Sequence, residues 1–205
     1  MKPPKRDDTG LFIVIEGIDG TGKSTQANML KSALEKAGNT VELDREPSDG
    51  PYGKLLRDSA HTGRLSPQEE LDLFHKDRKQ HVDELILPEL EKGNIVILDR
   101  YYFSPMAYQG QRGFDQAELR ATNEAFAPQP DILFILDLPV SIALERIGVR
   151  GDTANEFEQS DALQYCRDTF LSVSDEPFAH VISSEKSIEE IHAEMVAIAL
   201  QKRNH

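Results

Sequence analysis

Gly17-Ile18-Asp19-Gly20-Thr21-Gly22-Lys23-Ser24, with Thr25 next, is the stretch from which the fold can be read. It satisfies G-x-x-x-x-G-K-[ST], a pattern that a glycine-rich turn can also meet by chance, so the flanks decide. Leu11-Phe-Ile-Val-Ile15 is a short apolar run of the kind that makes a buried strand. Beyond the loop, Ala27, Leu30, Ala33, Leu34 and Ala37 recur at helical spacing and predict a helix over 25–36. Strand, glycine loop and helix start together make a phosphate cradle, because backbone N–H groups point inward and the helix dipole adds partial positive charge. Gly17, Gly20, Thr21, Gly22 and Thr25 would line it, Lys23 would reach the terminal phosphates, and Ser24 would ligate Mg²⁺. The stretch implies a bound nucleoside triphosphate.

Working outward, 205 residues suit one domain with a substantial core. A net charge of −13 argues against a nucleic-acid partner, which would need a basic stripe. Cys166 is the only cysteine, so no disulfide framework is expected within the chain. Residues 1–8 are charged but have no apolar core, unlike a secretory signal. No apolar run approaches the roughly 20 residues that span a bilayer. The expectation is a cytoplasmic protein with no membrane partner, a disordered lead-in over 1–10 and one domain over 11–205.

Along the chain, Gly38-Asn39 stops the first helix, and Val41-Glu-Leu43 leads as a second strand into a turn-rich loop, Arg45 to Pro51. A short helix is expected over 52–59. Ser66-Pro-Gln-Glu69 carries the residue types of a capping box, opening a helix that runs to about Glu91 with a kink at Pro88. Ile95-Val-Ile-Leu98 is a third strand, 102–127 two helices broken around Gly110 to Gly113, and Ile132-Leu-Phe-Ile-Leu136 a fourth strand. Helices over 140–149 and 160–173, a weak fifth strand over 180–182 and an amphipathic helix over 188–201 complete the chain. Uninterrupted apolar strands alternating with helices mean α/β architecture, a parallel sheet covered on both faces. Ligands of such sheets bind beyond the carboxyl ends of the strands, where Gly17, Arg45, Asp99 and Asp137 all fall.

Phosphoryl transfer asks for positioning and for positive charge around the moving group. Asp99 ends an apolar strand and suits a Mg²⁺ carboxylate. Asp137 ends another, but Leu138-Pro139 after it suggests a helix start, which a capping role would explain. Arg100 favours Asp99, since it brings a phosphate-binding guanidinium to the same edge.

Glu16-Gly-Ile-Asp-Gly-Thr-Gly-Lys-Ser-Thr25, Arg45-Glu-Pro47, Phe74-x-x-x-Arg78, Asp99-Arg-Tyr101 and Ser104-x-x-Ala-Tyr-Gln109 stand in the order and spacing of thymidylate kinases. Pro130 to Asp137 also resembles that family's fourth strand, and the resemblance covers about residues 11–200. It implies a P-loop NTPase fold with a five-stranded parallel sheet. It further implies transfer of the γ-phosphoryl of ATP to thymidine monophosphate (dTMP) with Mg²⁺, by a homodimer.

By the same resemblance, Lys23, Arg100, Asp19 and Arg150 carry the catalysis. Asp19 lies near the acceptor's sugar and phosphate, although Asp-Gly is also a favoured turn pair. Arg45 and Arg100 hold the acceptor phosphate, and Pro47 follows a cis peptide bond. Phe74 stacks on the thymine and Arg78 donates to a base carbonyl; by themselves they read as core packing and as an ion pair near Glu70 or Asp77. Tyr108 sits against the deoxyribose, while Ser104 and Gln109 line the base pocket. Tyr101 reads as packing. Arg146 and Arg150 belong to a lid over ATP, about residues 146–160.

Three places depart from the family's pattern. Ser48-Asp-Gly-Pro51 replaces its usual glycine-rich sequel, Pro105 replaces a small or polar residue, and the lid lacks a second arginine. A few contacts decide base choice and rate, so these changes bear on both more than on the reaction class. The rival readings are a kinase of the same fold for another nucleotide or a nucleoside, with Glu46 or Asp99 as base, and a nucleotide-binding sensor with weak catalysis.

Overall fold

The computed structural model describes residues 9–63, 65–149 and 160–203. Five strands, β1 (Leu11–Glu16), β2 (Val41–Arg45), β3 (Ile95–Asp99), β4 (Ile132–Asp137) and β5 (Ala179–Ser183), form one parallel sheet in the order β2-β3-β1-β4-β5. The sequence-based expectation of a parallel five-stranded sheet therefore holds. The three central strands are the apolar runs, and β1 is buried along its whole length. The edge strands β2 and β5 are half-exposed, which is why their patterns are the weak ones.

Alternation along the strands divides the core in two. Phe12, Val14, Val96, Leu98, Leu133 and Ile135 face one helical layer, while Ile13, Ile15, Ile97, Phe134 and Leu136 face the other. The second layer is α1 (Lys23–Lys36) and α9 (Ile188–Arg203), which contribute Leu30, Leu34, Ile191 and Met195. The first is built largely from α3 (Pro67–His81), α5 (Phe103–Gln111), α6 (Gln116–Glu124), α7 (Val140–Val149) and α8 (Ser160–Leu171). Each fully buried Leu, Ile, Val or Phe contributes about 1.5–3 kcal/mol, so the central strands anchor the structure. The lone Cys166 is buried in the first layer, and burial pushes its thiol up to about 12, which makes it inert.

Two local expectations are met in detail. Ser66 and Glu69 form the capping box, the Ser66 N–H donating to Glu69 Oε2 at 2.9 Å and the Glu69 N–H to Ser66 Oγ at 3.3 Å. The α3 axis continues to Glu91 through α4 (Leu87–Glu91), but a wide π turn at Val82–Ile86 accommodates Pro88. There the Leu87 N–H donates to Val82 O five residues back, which relieves the clash a proline ring makes with the preceding turn. The helix after β2, α2 (Pro51–Thr62), is longer than expected. Among the described residues no helix is long and apolar enough to cross a membrane.

Candidate active site

The parallel register sets Arg45 and Ile15 on either side of Asp99 at the carboxyl edge, so β1, β2 and β3 deliver their carboxyl ends to one place. The loop after β1 closes over that edge only because it is rich in glycine. Gly17 has φ +143°, and a Cβ there would meet Leu136 O at 2.4 Å; Gly20 has φ +88°, and its Cβ would meet Ala143 O at 2.9 Å. Lys23 folds back into the loop, donating to Ile18 O at 2.9 Å, with Asp19 Oδ1 3.7 Å away. Burial and the nearby Arg100 push its ammonium down to about 8, against the pull of Asp19 and Asp99. Ser24 Oγ donates to Asp99 Oδ2 at 2.5 Å, and Asp99 Oδ1 is buried without a partner.

Three adjoining cavities surround this edge. A central one of about 280 Å³ is polar and is lined by the loop together with Arg45, Glu46, Asp99 and Arg100. A second, about 190 Å³, is lined by Phe74, Arg78, Ser104, Pro105, Tyr108 and Gln109 and shares Asp19, Glu46 and Arg100 with the first. A third, about 550 Å³, shares Gly20, Gly22 and Thr25 with the first and is walled by Ile142, Arg146, Ile188 and Ile191. Every substrate-side residue named from the sequence lines the first or second cavity. Arg146 lines the third and donates to Gly20 O at 3.3 Å and Ser184 O at 2.9 Å. Arg150 and the lid proper lie outside the described residues.

Arg100 occupies the junction between the first two cavities. Among the described residues it is the non-glycine residue at positive φ, +75°, a conformation that costs of order 1–3 kcal/mol and persists only where the surroundings enforce it. Its guanidinium ion-pairs with Asp19, donates to Tyr108 Oη at 3.0 Å and Ser104 Oγ at 3.3 Å, and lies over the Tyr108 ring. Arg45 is exposed and pairs with Asp49 at 3.2 Å.

Arg78 is 1 % exposed, and its partner is neither Glu70 nor Asp77 but Glu46. Its Nε donates to Glu46 Oε2 at 2.8 Å and one terminal nitrogen to Asn123 Oδ1 at 2.5 Å, while the guanidinium stacks over Tyr101. His81 adds to this cluster, Nδ1 lying 3.3 Å from Glu46 Oε1 and Nε2 3.2 Å from Asp44 Oδ2. Burial disfavours its charge, but the bonds to Asp44 and Glu46 prevail and raise it to about 9. Asp77 accepts instead from the Ser48 N–H at 2.8 Å and from Ser48 Oγ at 2.6 Å. The altered sequel to Arg45-Glu-Pro47 is thereby accounted for, since Ser48 ties that loop to α3. The Glu46–Pro47 bond is cis, as expected. Pro105 falls in the first turn of α5, where a missing N–H removes no helical bond. Asp137 is engaged by Arg167 through two bonds, 2.7 and 2.9 Å, which sets it apart from the metal edge. Tyr101 is fully buried against Phe12 and Tyr102, as its packing role requires.

Sequence reasoning missed Asn123, His81, the Glu70–Arg112 ion pair beside the second cavity, and the part played by Glu16. Each pairs residues far apart in the chain, and no local pattern signals such a partner.

The family model for thymidylate kinase matches residues 15–195. A thymidylate kinase of Xanthomonas campestris pv. campestris (strain B100) is 50% identical over 192 residues, 92% of this chain and 84% of that protein. One from Akkermansia muciniphila is 52% identical over 184 residues, covering 90% and 88%. With that coverage and the motif residues gathered at one sheet edge, the chain belongs to the thymidylate kinase family.

Proposed function

We propose that this chain transfers the γ-phosphoryl group of ATP to dTMP, giving dTDP. The observation that carries this reading is the row of three adjoining cavities, with the glycine loop, Lys23, Arg45 and Arg100 around the middle one. ATP would enter from the third cavity, its base among Ile142, Ile188 and Ile191 under Arg146. The monophosphate would occupy the second, its base between Phe74 and Pro105 and within reach of Arg78 and Gln109. Arg45 and Arg100 would hold its phosphate, and Lys23 would neutralise charge on the transferred group. The attacking phosphate oxygen is already ionised, so no general base is required. That agrees with Glu46 being committed to Arg78 and His81.

Mg²⁺ fits the edge beside Ser24. The Ser24 hydroxyl and the unpartnered buried oxygen of Asp99 offer the hard, sparse oxygen set that Mg²⁺ takes alongside substrate phosphates. The ion would spread the negative charge of the β- and γ-phosphates. We further read the chain from residue 11 as one kinase domain with a lid near 146–160, working as a cytoplasmic homodimer.

The deciding experiment is ADP release from ATP and Mg²⁺ with a panel of nucleoside monophosphates and nucleosides. A clear preference for dTMP is expected. Preference for another acceptor would overturn the base assignment, and silence across the panel would overturn the kinase reading. Arg45→Ala and Arg100→Ala should each cost far more turnover than ATP affinity.

A further inference from the structure

We propose that Glu16 is a positioning residue for the acceptor phosphate: its buried carboxylate fixes the backbone around Arg100 and so aims the guanidinium at the junction of the two acceptor-side cavities. This rests on the dTMP kinase reading and gives a task to a residue that reading leaves idle.

Glu16 is fully buried at the end of β1 and lines none of the three cavities, so it acts only through neighbours. Its Oε1 accepts from the Tyr101 N–H at 2.8 Å and the Ser104 N–H at 3.1 Å; its Oε2 accepts from Ser104 Oγ at 2.8 Å. The Tyr101 N–H belongs to the peptide that follows Arg100. The peptide before it is also held from β1, because the Arg100 N–H donates to Ile15 O at 3.0 Å. Consecutive residues of one buried strand therefore grip both sides of the left-handed Arg100.

The grip continues to the side chain. Ser104 Oγ donates to Glu16 and accepts from Arg100, which also reaches Tyr108 and Asp19. Three donors converge on Glu16, whose two oxygens accept from them all. Burial pushes its carboxyl up to about 7, against the pull of Arg100 and of these bonds. A glutamine keeps the shape but turns an N–H₂ group toward the Ser104 hydroxyl. An alanine leaves the Tyr101 and Ser104 N–H groups buried without this partner.

The test is a double-mutant cycle of Glu16→Ala and Arg100→Ala, read as steady-state kinetics in both ATP and dTMP. Glu16→Ala is expected to lower kcat/KM for dTMP by about 100-fold while KM for ATP moves by no more than about twofold. In the Arg100→Ala background the same change should add nothing, because a residue that acts through Arg100 has nothing left to position. Glu16→Gln should lie between wild type and Glu16→Ala and show the same non-additivity; it carries the test if the alanine variant does not fold. Additive losses, or equal losses toward ATP and dTMP, would overturn the assignment. A wild-type chain that leaves dTMP unphosphorylated would instead overturn the reading of the site on which the assignment rests.

Discussion

The two sides of the glycine loop, acceptor and donor on the reading proposed above, are built on different principles. The acceptor side is wired by buried charge: Glu46 holds Arg78 and His81, Asp77 holds Ser48, and Glu16 and Asp19 hold the turn and side chain of Arg100. On the donor side Ile142, Ile188 and Ile191 share the wall with Glu145, Arg146 and Lys186, and Arg146 is bonded only to backbone carbonyls in the described contacts. Buried charges are costly unless paired, so such wiring fixes geometry before a substrate arrives. Arg146, held by carbonyls alone, has no such paired charge among the described residues. On the reading proposed above, the pyrimidine nucleotide would be recognised where side chains are buried and paired, and the donor chiefly through its phosphates.

The largest expected effect comes from cutting the wiring at its centre. Glu46→Gln leaves Arg78 and His81 without their carboxylate and should cost about 3–5 kcal/mol, as breaking one partner of a buried pair does. Urea unfolding would measure it; a loss under about 1 kcal/mol would mean that the two sides differ less than their contacts suggest.

His81 sharpens the same contrast through pH. Its imidazole titrates near 6.5 when unfolded and at about 9 when folded, because the bonds to Asp44 and Glu46 outweigh the cost of burial. The folded chain therefore keeps a proton that the unfolded chain releases between these values. The stabilisation is full below pH 6.5 and is lost as pH rises through 9, a swing of about 3 kcal/mol. Lys23, held down at about 8, works in the opposite direction above that pH. The contribution of His81 is accordingly the part of the pH slope between 6.5 and 9 that disappears in His81→Gln. An unchanged slope in that variant would remove His81 from the acceptor-side network.

Much of this was legible in the chain, and the limits have physical reasons. The apolar runs at 11–15, 95–98 and 132–136 announce central strands because both faces of a parallel sheet are covered. The glycine loop announces its cradle because few other residues tolerate the φ values of Gly17 and Gly20 or the backbone behind them. The partners of Arg78 were not legible. Asn123 lies 45 residues away and Glu46 lies 32 away, and a buried ion pair leaves no periodic trace in either segment. For the same reason Glu16 could be read only as the head of the glycine-loop motif; its bonds to Tyr101 and Ser104 span 85 and 88 residues. The part played by Ser48 became clear only once Asp77 was beside it.

The smallest effect tests the donor side. Arg146→Ala removes two bonds to the carbonyls of Gly20 and Ser184 and a cation from the wall of the third cavity, while the acceptor-side wiring is untouched. KM for ATP should rise about tenfold, the scale of a single charge-assisted contact of roughly 1.4 kcal/mol, with KM for dTMP unchanged. The asymmetry matters more than the size. If Arg146 only tied the loop to β5, its loss would loosen Gly20 and spread to both substrates, because Gly20 lines the central cavity as well as the third. A rise confined to ATP would mean that the guanidinium meets the nucleotide directly and that the two sides of the loop are energetically separate. Equal rises would mean that the loop transmits strain between them, and the contrast between a wired side and a walled side would then describe contacts but not energies.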